Sequence, residues 1–124
     1  MILGLGLSAV ATHRFRSAEQ RFGARLHGRL FTEGERAYAA RKRRGFESLT
    51  VRFAAKLAAA RALDLPTVPW QELEVVRRRG QPPQLAFHGG AARQARERGV
   101  ARTQLSVTHD AGWCLAHVVL EGPA

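Results

Sequence analysis

The chain has 124 residues, 45% of them hydrophobic, which fits one globular domain over residues 1–124 and argues against a two-domain protein. Twenty Lys and Arg against ten Asp and Glu give a formal charge of +10, which predicts an acidic or phosphorylated partner without specifying the fold. All of these cations except Lys42 and Lys56 are arginines, which favour bidentate contacts to phosphate or carboxylate. The single cysteine, Cys114, excludes an intrachain disulfide and fits a reducing cytoplasm, and we expect it to be buried in a strand rather than reactive.

The chain opens on a segment in which leucines recur at every second position. Leu3, Leu5 and Leu7 have the period of two that is typical of a strand, and the glycines between them indicate close backbone packing on the opposite face. The apolar stretch 1–11 lacks a basic segment and is too short to span a bilayer. We therefore expect a buried first strand and no membrane partner.

Two short helices are predicted next. Gly23 or Gly28 would end the first, and Thr32 with Glu35 matches a capping box that starts the second just after the threonine. The four consecutive cations before Gly45 suit the last turn of that helix, where positive charge favours the helix dipole, and the glycine would end it. The apolar residues that share a face of the first helix are Phe15, Ala18, Phe22 and Leu26.

The most regular helical pattern runs from Glu47 to Leu63, without glycine or proline, and its apolar residues recur at spacings of three and four. Short strands are predicted at 72–76 and 84–87, followed by a basic helix at 90–98. A final hairpin pairs 105–109 with 113–120. The predicted fold class is α+β, with an antiparallel sheet packed on the long helix.

Three motifs carry a resemblance to a known family. The segment 52–56 (R-F-A-A-K) matches five consecutive residues of a family helix that reads R-F-A-A-K-E-A, and Glu47 also fits the pattern. The segment 105–110 resembles the family strand end V-S-[IL]-[ST]-H-[DT], and 4–8 resembles G-x-G-x-D. In their order and spacing these motifs make the chain similar, along essentially its whole length, to the holo-acyl-carrier-protein synthases, the small phosphopantetheinyl transferases.

The resemblance implies a phosphoryl transfer. Members of this family move 4′-phosphopantetheine from coenzyme A to a serine of acyl carrier protein, release 3′,5′-ADP and thereby serve fatty acid biosynthesis in the cytoplasm. They hold magnesium with an aspartate and a glutamate, at positions that Ser8 and Leu57 occupy in this chain. Leucine cannot coordinate a cation, and a serine hydroxyl is a poor replacement for aspartate. We therefore expect conventional magnesium-dependent activity to be weakened or lost.

The same resemblance assigns roles to the remaining polar residues. Arg61 lies where the family has a lysine, four residues after Leu57, and keeps a permanent positive charge. Losing two carboxylates nearly offsets losing a doubly charged ion, so binding of coenzyme A without metal remains open. The residues implied in coenzyme A binding are Arg52, Lys56, Arg61 and His109. The residues implied in catalysis are Glu47, Lys56, His109 and Asp110. The alternative for the arginines is a solvated helix face, and for His109 a polar strand end.

The first helix carries a spaced stripe of arginines. Synthases of this family use that helix to dock the acidic recognition helix of acyl carrier protein, so the resemblance implies Arg14 and Arg21 as partner contacts. Family members also resemble three-fold trimers with coenzyme A sites between subunits, so we expect a homotrimer.

Three functional classes remain open from the sequence. The chain is a transferase with an unusual or rescued metal site, a non-catalytic relative that keeps coenzyme A or carrier-protein binding, or a basic nucleic-acid binder. The third is the weakest, because the aromatic residues lie mostly at apolar-periodic positions and do not alternate with the cations as stacking residues would.

Overall fold

Two antiparallel sheets and five helices make up the structure, a computed structural model that describes residues 1–124. The elements in chain order are β1 (Ile2–Ala11), α1 (Thr12–Phe22), α2 (Ala24–Leu30), α3 (Glu33–Ala40), α4 (Gly45–Ala62), β2 (Leu73–Val76), β3 (Gln84–Phe87), α5 (Gly89–Glu97), β4 (Arg102–Asp110) and β5 (Trp113–Glu121).

The larger sheet has the strand order β1-β5-β4 and the smaller sheet pairs β2 with β3, all antiparallel. In the larger sheet Ala116 is the partner of Ser8 on one side and of Val107 on the other. The tight turn between β4 and β5 contains Ala111 and Gly112, both in the left-handed region at φ +51° and +82°. The predicted α+β fold, with an antiparallel sheet on a long helix, is confirmed.

The glycines of β1 let the strand lie directly against α4. A side-chain carbon at Gly4 would overlap the carbonyl oxygen of Ala62, and one at Gly6 would overlap that of Ala58. The facing residues of α4 are small, and Ala58 has no exposed surface. Strand and helix therefore pack backbone to backbone, as the alternating glycines predict.

The other face of β1 differs from the expectation of a buried strand. Leu5 and Leu7 are 58% and 65% exposed, because their side chains point away from α4. Trp113 and Leu115 of β5 lie further along the same face, opposite Ala11 and Ala9, and are 50% and 46% exposed. We call this surface, formed by Leu5, Leu7, Trp113 and Leu115, the outer sheet face.

Two helix boundaries also differ from the prediction. Helix α3 begins with the predicted capping box, in which Thr32 and Glu35 exchange hydrogen bonds, but ends at Ala40, before the basic cluster. Gly45 does not end that helix; it is the first residue of α4. Of the two predicted stops for the first helix, Gly23 is the one used, since it adopts φ +54°.

Cys114 lies in β5 with 1% of its surface exposed, which confirms its predicted burial. Desolvation raises the pKa of the thiol to about 11, so the unreactive thiol form dominates at neutral pH. No helix of the structure is both long enough and apolar enough to cross a membrane.

Candidate functional site

Ser8 points from β1 into the contact with α4. Its hydroxyl donates a 2.6 Å hydrogen bond to the carbonyl oxygen of Ala54, and the residue is 5% exposed. The hydroxyl hydrogen is therefore directed at the helix backbone and away from solvent. Ser8 also lines one end of a cavity of about 430 Å³ that includes Arg61 and Thr108.

Leu57 lies one helical turn beyond Ala54 but lines a different cavity. Its neighbours there are Phe53, Val10 and Trp113, and the volume is about 730 Å³. The two expected metal positions therefore both lie at the contact of β1 with α4, and the surroundings of Leu57 are apolar.

The donor set does not fit a magnesium ion. Mg²⁺ needs an octahedral shell of oxygen ligands, normally anchored by one or two carboxylates. Leu57 supplies no ligand, and the Ser8 hydroxyl is engaged with Ala54. No three His, Cys, Asp or Glu side chains of the chain lie close enough together to hold a metal ion.

Arg61 extends from the last turn of α4 across the edge of β1. Its Nη1 donates a hydrogen bond to the carbonyl oxygen of Leu7, and no carboxylate pairs with it. The guanidinium borders the cavity that Ser8 lines, together with His117 of β5. It keeps unused N–H groups that can meet an anion there.

Three of the predicted catalytic residues meet at the other end of the long helix. Glu47, His109 and Asp110 line one cavity of about 200 Å³, together with Thr12 and Gly112. The hairpin turn brings the end of β4 over the first turn of α4, which is why residues distant in sequence converge. The lining includes a carboxylate, an imidazole and a second carboxylate, which are groups that can transfer protons, but His109 and Asp110 are successive residues of β4 and point to opposite faces of the sheet.

A basic surface adjoins this cavity. Glu47 and His109 also border a space of about 290 Å³, lined by cations from the turn before α4 and the β2–β3 loop, namely Lys42, Arg43, Arg44 and Arg77. Only Arg44 has a carboxylate partner, Glu47, at 3.7 Å with both side chains exposed. The sequence pattern predicted the cations before Gly45 only as the end of a helix. Their position beside His109 could not be predicted, because it depends on the tertiary packing of β4.

The structure places Lys56 in the interior. Its side chain has no exposed surface, and Nζ donates 2.8 Å hydrogen bonds to the carbonyl oxygens of Leu30 and Trp70 and is ion-paired with Glu35. Desolvation by this burial lowers the pKa of the ammonium, opposed by the nearby Glu35 carboxylate. All three donors are used within the chain, and the predicted phosphate contact and catalytic role of Lys56 stay predictions.

Arg52 is also buried, with 4% of its surface exposed. Its Nη1 donates to Oγ of Ser48 at 2.7 Å, and the guanidinium stacks on the Tyr38 ring with Cζ 4.3 Å from the ring centre. Desolvation lowers the pKa of the guanidinium, with Glu35 opposing. Nε and Nη2 have no partner. Two donors thus remain open beneath Tyr38, which itself borders the basic surface.

Arg14 and Arg21 both lie exposed on α1. Neither is ion-paired, and the guanidinium of Arg21 sits over the Phe22 ring, with Cζ 5.4 Å from the ring centre. Arg14 and Arg21 therefore present positive charge that no ion pair within the chain neutralises.

The residues predicted to hold coenzyme A do not form one site within a single chain. Thr108 borders the Ser8–Arg61 cavity and its neighbour His109 borders the Glu47 cavity. Successive residues of a strand point to opposite faces of the sheet. Arg61 and His109 therefore border different cavities, separated by the sheet.

Comparisons with known proteins were consistent. The family model described as the 4′-phosphopantetheinyl transferase superfamily matches residues 4–116. The holo-[acyl-carrier-protein] synthase of Solibacter usitatus is 40% identical over 124 residues, covering 98% of this chain and 99% of the relative. That of Clavibacter michiganensis is 45% identical over 126 residues, covering 100% of this chain and 99% of the relative.

Solved structures agree in fold. The holo-[acyl-carrier-protein] synthase from Neisseria meningitidis superposes with a TM-score of 0.89 at 27% identity, covering 98% of this chain and 99% of that one. A holo-(acyl-carrier-protein) synthase from Bacillus anthracis, solved in complex with CoA (3′,5′-ADP), gives 0.79 at 26% identity, with 99% of both chains covered.

Proposed function

The chain belongs to the 4′-phosphopantetheinyl transferase superfamily, and on that premise we propose that it binds coenzyme A and acyl carrier protein with weakened or lost magnesium-dependent transfer. The main support for the proposal is that neither of the two expected metal positions holds a carboxylate. Ser8 donates its hydroxyl to Ala54, and Leu57 lines an apolar cavity, while cationic side chains remain at both candidate phosphate surfaces.

Coenzyme A binding is supported by charge. The ligand carries a pyrophosphate and a 3′-phosphate, and arginines hold such groups through paired N–H donors. Arg61 borders one cavity, while Arg43 and Arg77 border a second that also includes His109. None of these three arginines is neutralised by a carboxylate.

The family reaction moves a phosphopantetheine group from coenzyme A to a serine hydroxyl of acyl carrier protein. A bound magnesium would neutralise charge on the pyrophosphate, and positioning and charge neutralisation supply nearly all of the catalysis in such transfers. Arg61 can offset phosphate charge but cannot order an octahedral shell. His109, Asp110 and Glu47 remain as candidates for moving the serine proton. We therefore expect slow or absent turnover with binding retained, and the alternative is a wholly non-catalytic relative.

We place the coenzyme A site between copies of the chain. Its predicted ligands Arg61 and His109 border separate cavities, so a site using both would need them from different subunits. The outer sheet face supports such an assembly, because four large apolar side chains are about half exposed along it. The expected state is the homotrimer implied by the resemblance.

For the carrier protein we propose contacts from Arg14 and Arg21. Their charge is free for an acidic partner, and such steering mainly raises the association rate and weakens with salt. The remaining positive charge of the chain, +10 overall, would extend that attraction beyond direct contact. A cytoplasmic location remains the expectation from the single cysteine.

Calorimetry with coenzyme A tests the proposal. We expect binding of equal strength with magnesium and with a chelator, and about ten- to hundredfold weaker binding for Arg61→Ala, because a hydrogen bond to a charged group contributes about 1.5–3 kcal/mol. Arg102→Ala is the matched control, since Arg102 lies exposed on β4 and only 3.6 Å from Glu121. Binding abolished by the chelator would overturn the proposal, and so would no binding at all.

Light scattering tests the assembly. At micromolar concentration the wild-type chain should have the mass of three copies, and Leu7→Asp should shift it towards one copy by placing charge on the outer sheet face. Arg102→Ala again serves as the control, since it changes an exposed residue without placing charge among the leucines. A monomer mass for the wild type would remove the composite site.

A further inference from the structure

The cavity that Leu57 lines is an open groove between α1, α2, α4 and the end of β1. Ten of its twelve lining residues are hydrophobic, and its volume is about 730 Å³, within the range of about 300–1,000 Å³ typical of sites for small molecules. The apolar side chains that form its floor and walls are Val10, Phe15, Leu26, Leu30, Phe53 and Leu57.

Leu57 makes one wall of this groove apolar. It is only partly buried and packs against the main core, so its side chain forms part of the groove surface. A carboxylate at this position would stand among Phe53, Leu26 and Leu30, where an unpaired charge is costly. With leucine the wall is continuous and apolar.

The polar groups at the groove are positive. Arg14 and His13, from the first turn of α1, are its only polar lining side chains, and no carboxylate lines it. Arg14 has no hydrogen-bond or ion-pair partner within the chain. An apolar trough with one unpaired cation at its rim complements a molecule that has an alkyl chain and one anionic end.

We propose that this groove binds a straight-chain carboxylic acid, with the alkyl chain along Phe53, Leu57 and Leu30 and the carboxylate on Arg14. The occupant differs from coenzyme A in charge and polarity, and the site uses neither Arg61 nor His109. Binding therefore does not depend on the proposed coenzyme A site, and it shares Arg14 with the proposed carrier-protein contact. The ligand lies where Leu57 replaces the expected metal-binding glutamate.

Calorimetry with octanoate, decanoate and dodecanoate, each below its micelle concentration, tests the site. Affinity should rise with chain length by up to about fourfold per added methylene, as expected for burial of CH₂ groups. Dodecyltrimethylammonium, which has the same chain and the opposite charge, should bind more weakly than dodecanoate. Arg14→Ala should remove that difference while Arg102→Ala, on the far strand β4, should not.

Variants of Leu57 test the location. Leu57→Glu and the neutral Leu57→Gln should weaken dodecanoate binding at least about tenfold, while Leu57→Met should leave it nearly unchanged. Circular dichroism checks that each variant is folded. Affinity that ignores chain length, or that is equal in Leu57→Gln and Leu57→Met, would overturn the proposal. Failure of dodecanoate to bind would also overturn it. A lower mass of Leu57→Gln in light scattering would then show that a second copy covers the groove.

Discussion

The hydroxyl of Ser8 donates a 2.6 Å hydrogen bond to the carbonyl oxygen of Ala54, tying β1 to α4 at one of the positions where a metal-binding carboxylate is expected. The hydroxyl hydrogen of the serine thus has a partner within the chain, and the bond adds to the contact between strand and helix. An aspartate would have no hydrogen to give to that carbonyl. The residue thus serves packing in this chain.

Gly6 makes the same strand–helix contact possible. Gly6→Ala should destabilise the fold by about 3 kcal/mol or more, because the new methyl would overlap the backbone oxygen of Ala58, which cannot move as a side chain would. Chemical denaturation measures this change. Gly28→Ala is the matched control: Gly28 lies in α2 with open space around it, so alanine should stabilise by about 0.5–1 kcal/mol. Equal effects of the two variants would contradict the packing described.

The buried pair of Lys56 and Glu35 should matter for stability and not for coenzyme A. Lys56→Met should cost about 3–5 kcal/mol, because it leaves the Glu35 carboxylate buried without its cation. The exposed pair provides the comparison, since Arg102→Ala should cost less than about 1 kcal/mol. Denaturation and coenzyme A calorimetry are both needed. A folded, stable Lys56→Met protein with weakened coenzyme A binding would support the lysine as a phosphate contact.

Cys114 gives the fold a pH dependence in the alkaline range. Burial raises the thiol pKa to about 11 in the folded chain, from about 9 when unfolded. Between these values the unfolded state has lost its proton and the folded state keeps it, so the free energy of unfolding falls as pH rises from 9 to 11, by up to about 3 kcal/mol.

Denaturation at pH 8, 9, 10 and 11 in reductant checks this, with Cys114→Ala as the comparison. The free energy of unfolding of the variant should fall less over the same pH range, and the difference between the two proteins is the contribution of the thiol. A parallel decline in both proteins would show that other groups cause it. Slow modification of Cys114 by a disulfide reagent at pH 8, accelerated on unfolding, is the accompanying expectation.

Most of the fold could be read from local pattern. The capping box of Thr32 and Glu35, the glycine–leucine alternation of β1 and the unbroken helix after Glu47 each express a rule that acts within a few residues. The end of α3 could not be predicted in this way. A basic cluster favours a helix terminus in general, but the exact end at Ala40 depends on the turn at Arg41 and on the packing of Gly45 against Ala39.

The candidate site was harder to predict from the sequence, because its residues are placed by contacts between segments that are distant along the chain. Burial of Lys56 depends on carbonyl oxygens of Leu30 and Trp70, far from it along the chain, and no local pattern encodes them. The convergence of Glu47 with His109 likewise follows from how the last hairpin packs on α4. The motif resemblance identified Glu47, Lys56 and His109 as candidate site residues. It did not indicate which of them border a cavity.

The most direct test of the account is mass spectrometry of apo acyl carrier protein after incubation with coenzyme A, magnesium and this chain. We expect little or no phosphopantetheine addition by the wild type, and a magnesium-dependent rate at least about a hundredfold higher for Ser8→Asp with Leu57→Glu, since a bound metal contributes several kcal/mol. Either change alone should do little, because one carboxylate holds hydrated magnesium weakly. A wild-type chain that modifies the carrier as fast as the double variant, and stops when magnesium is chelated, would contradict the account.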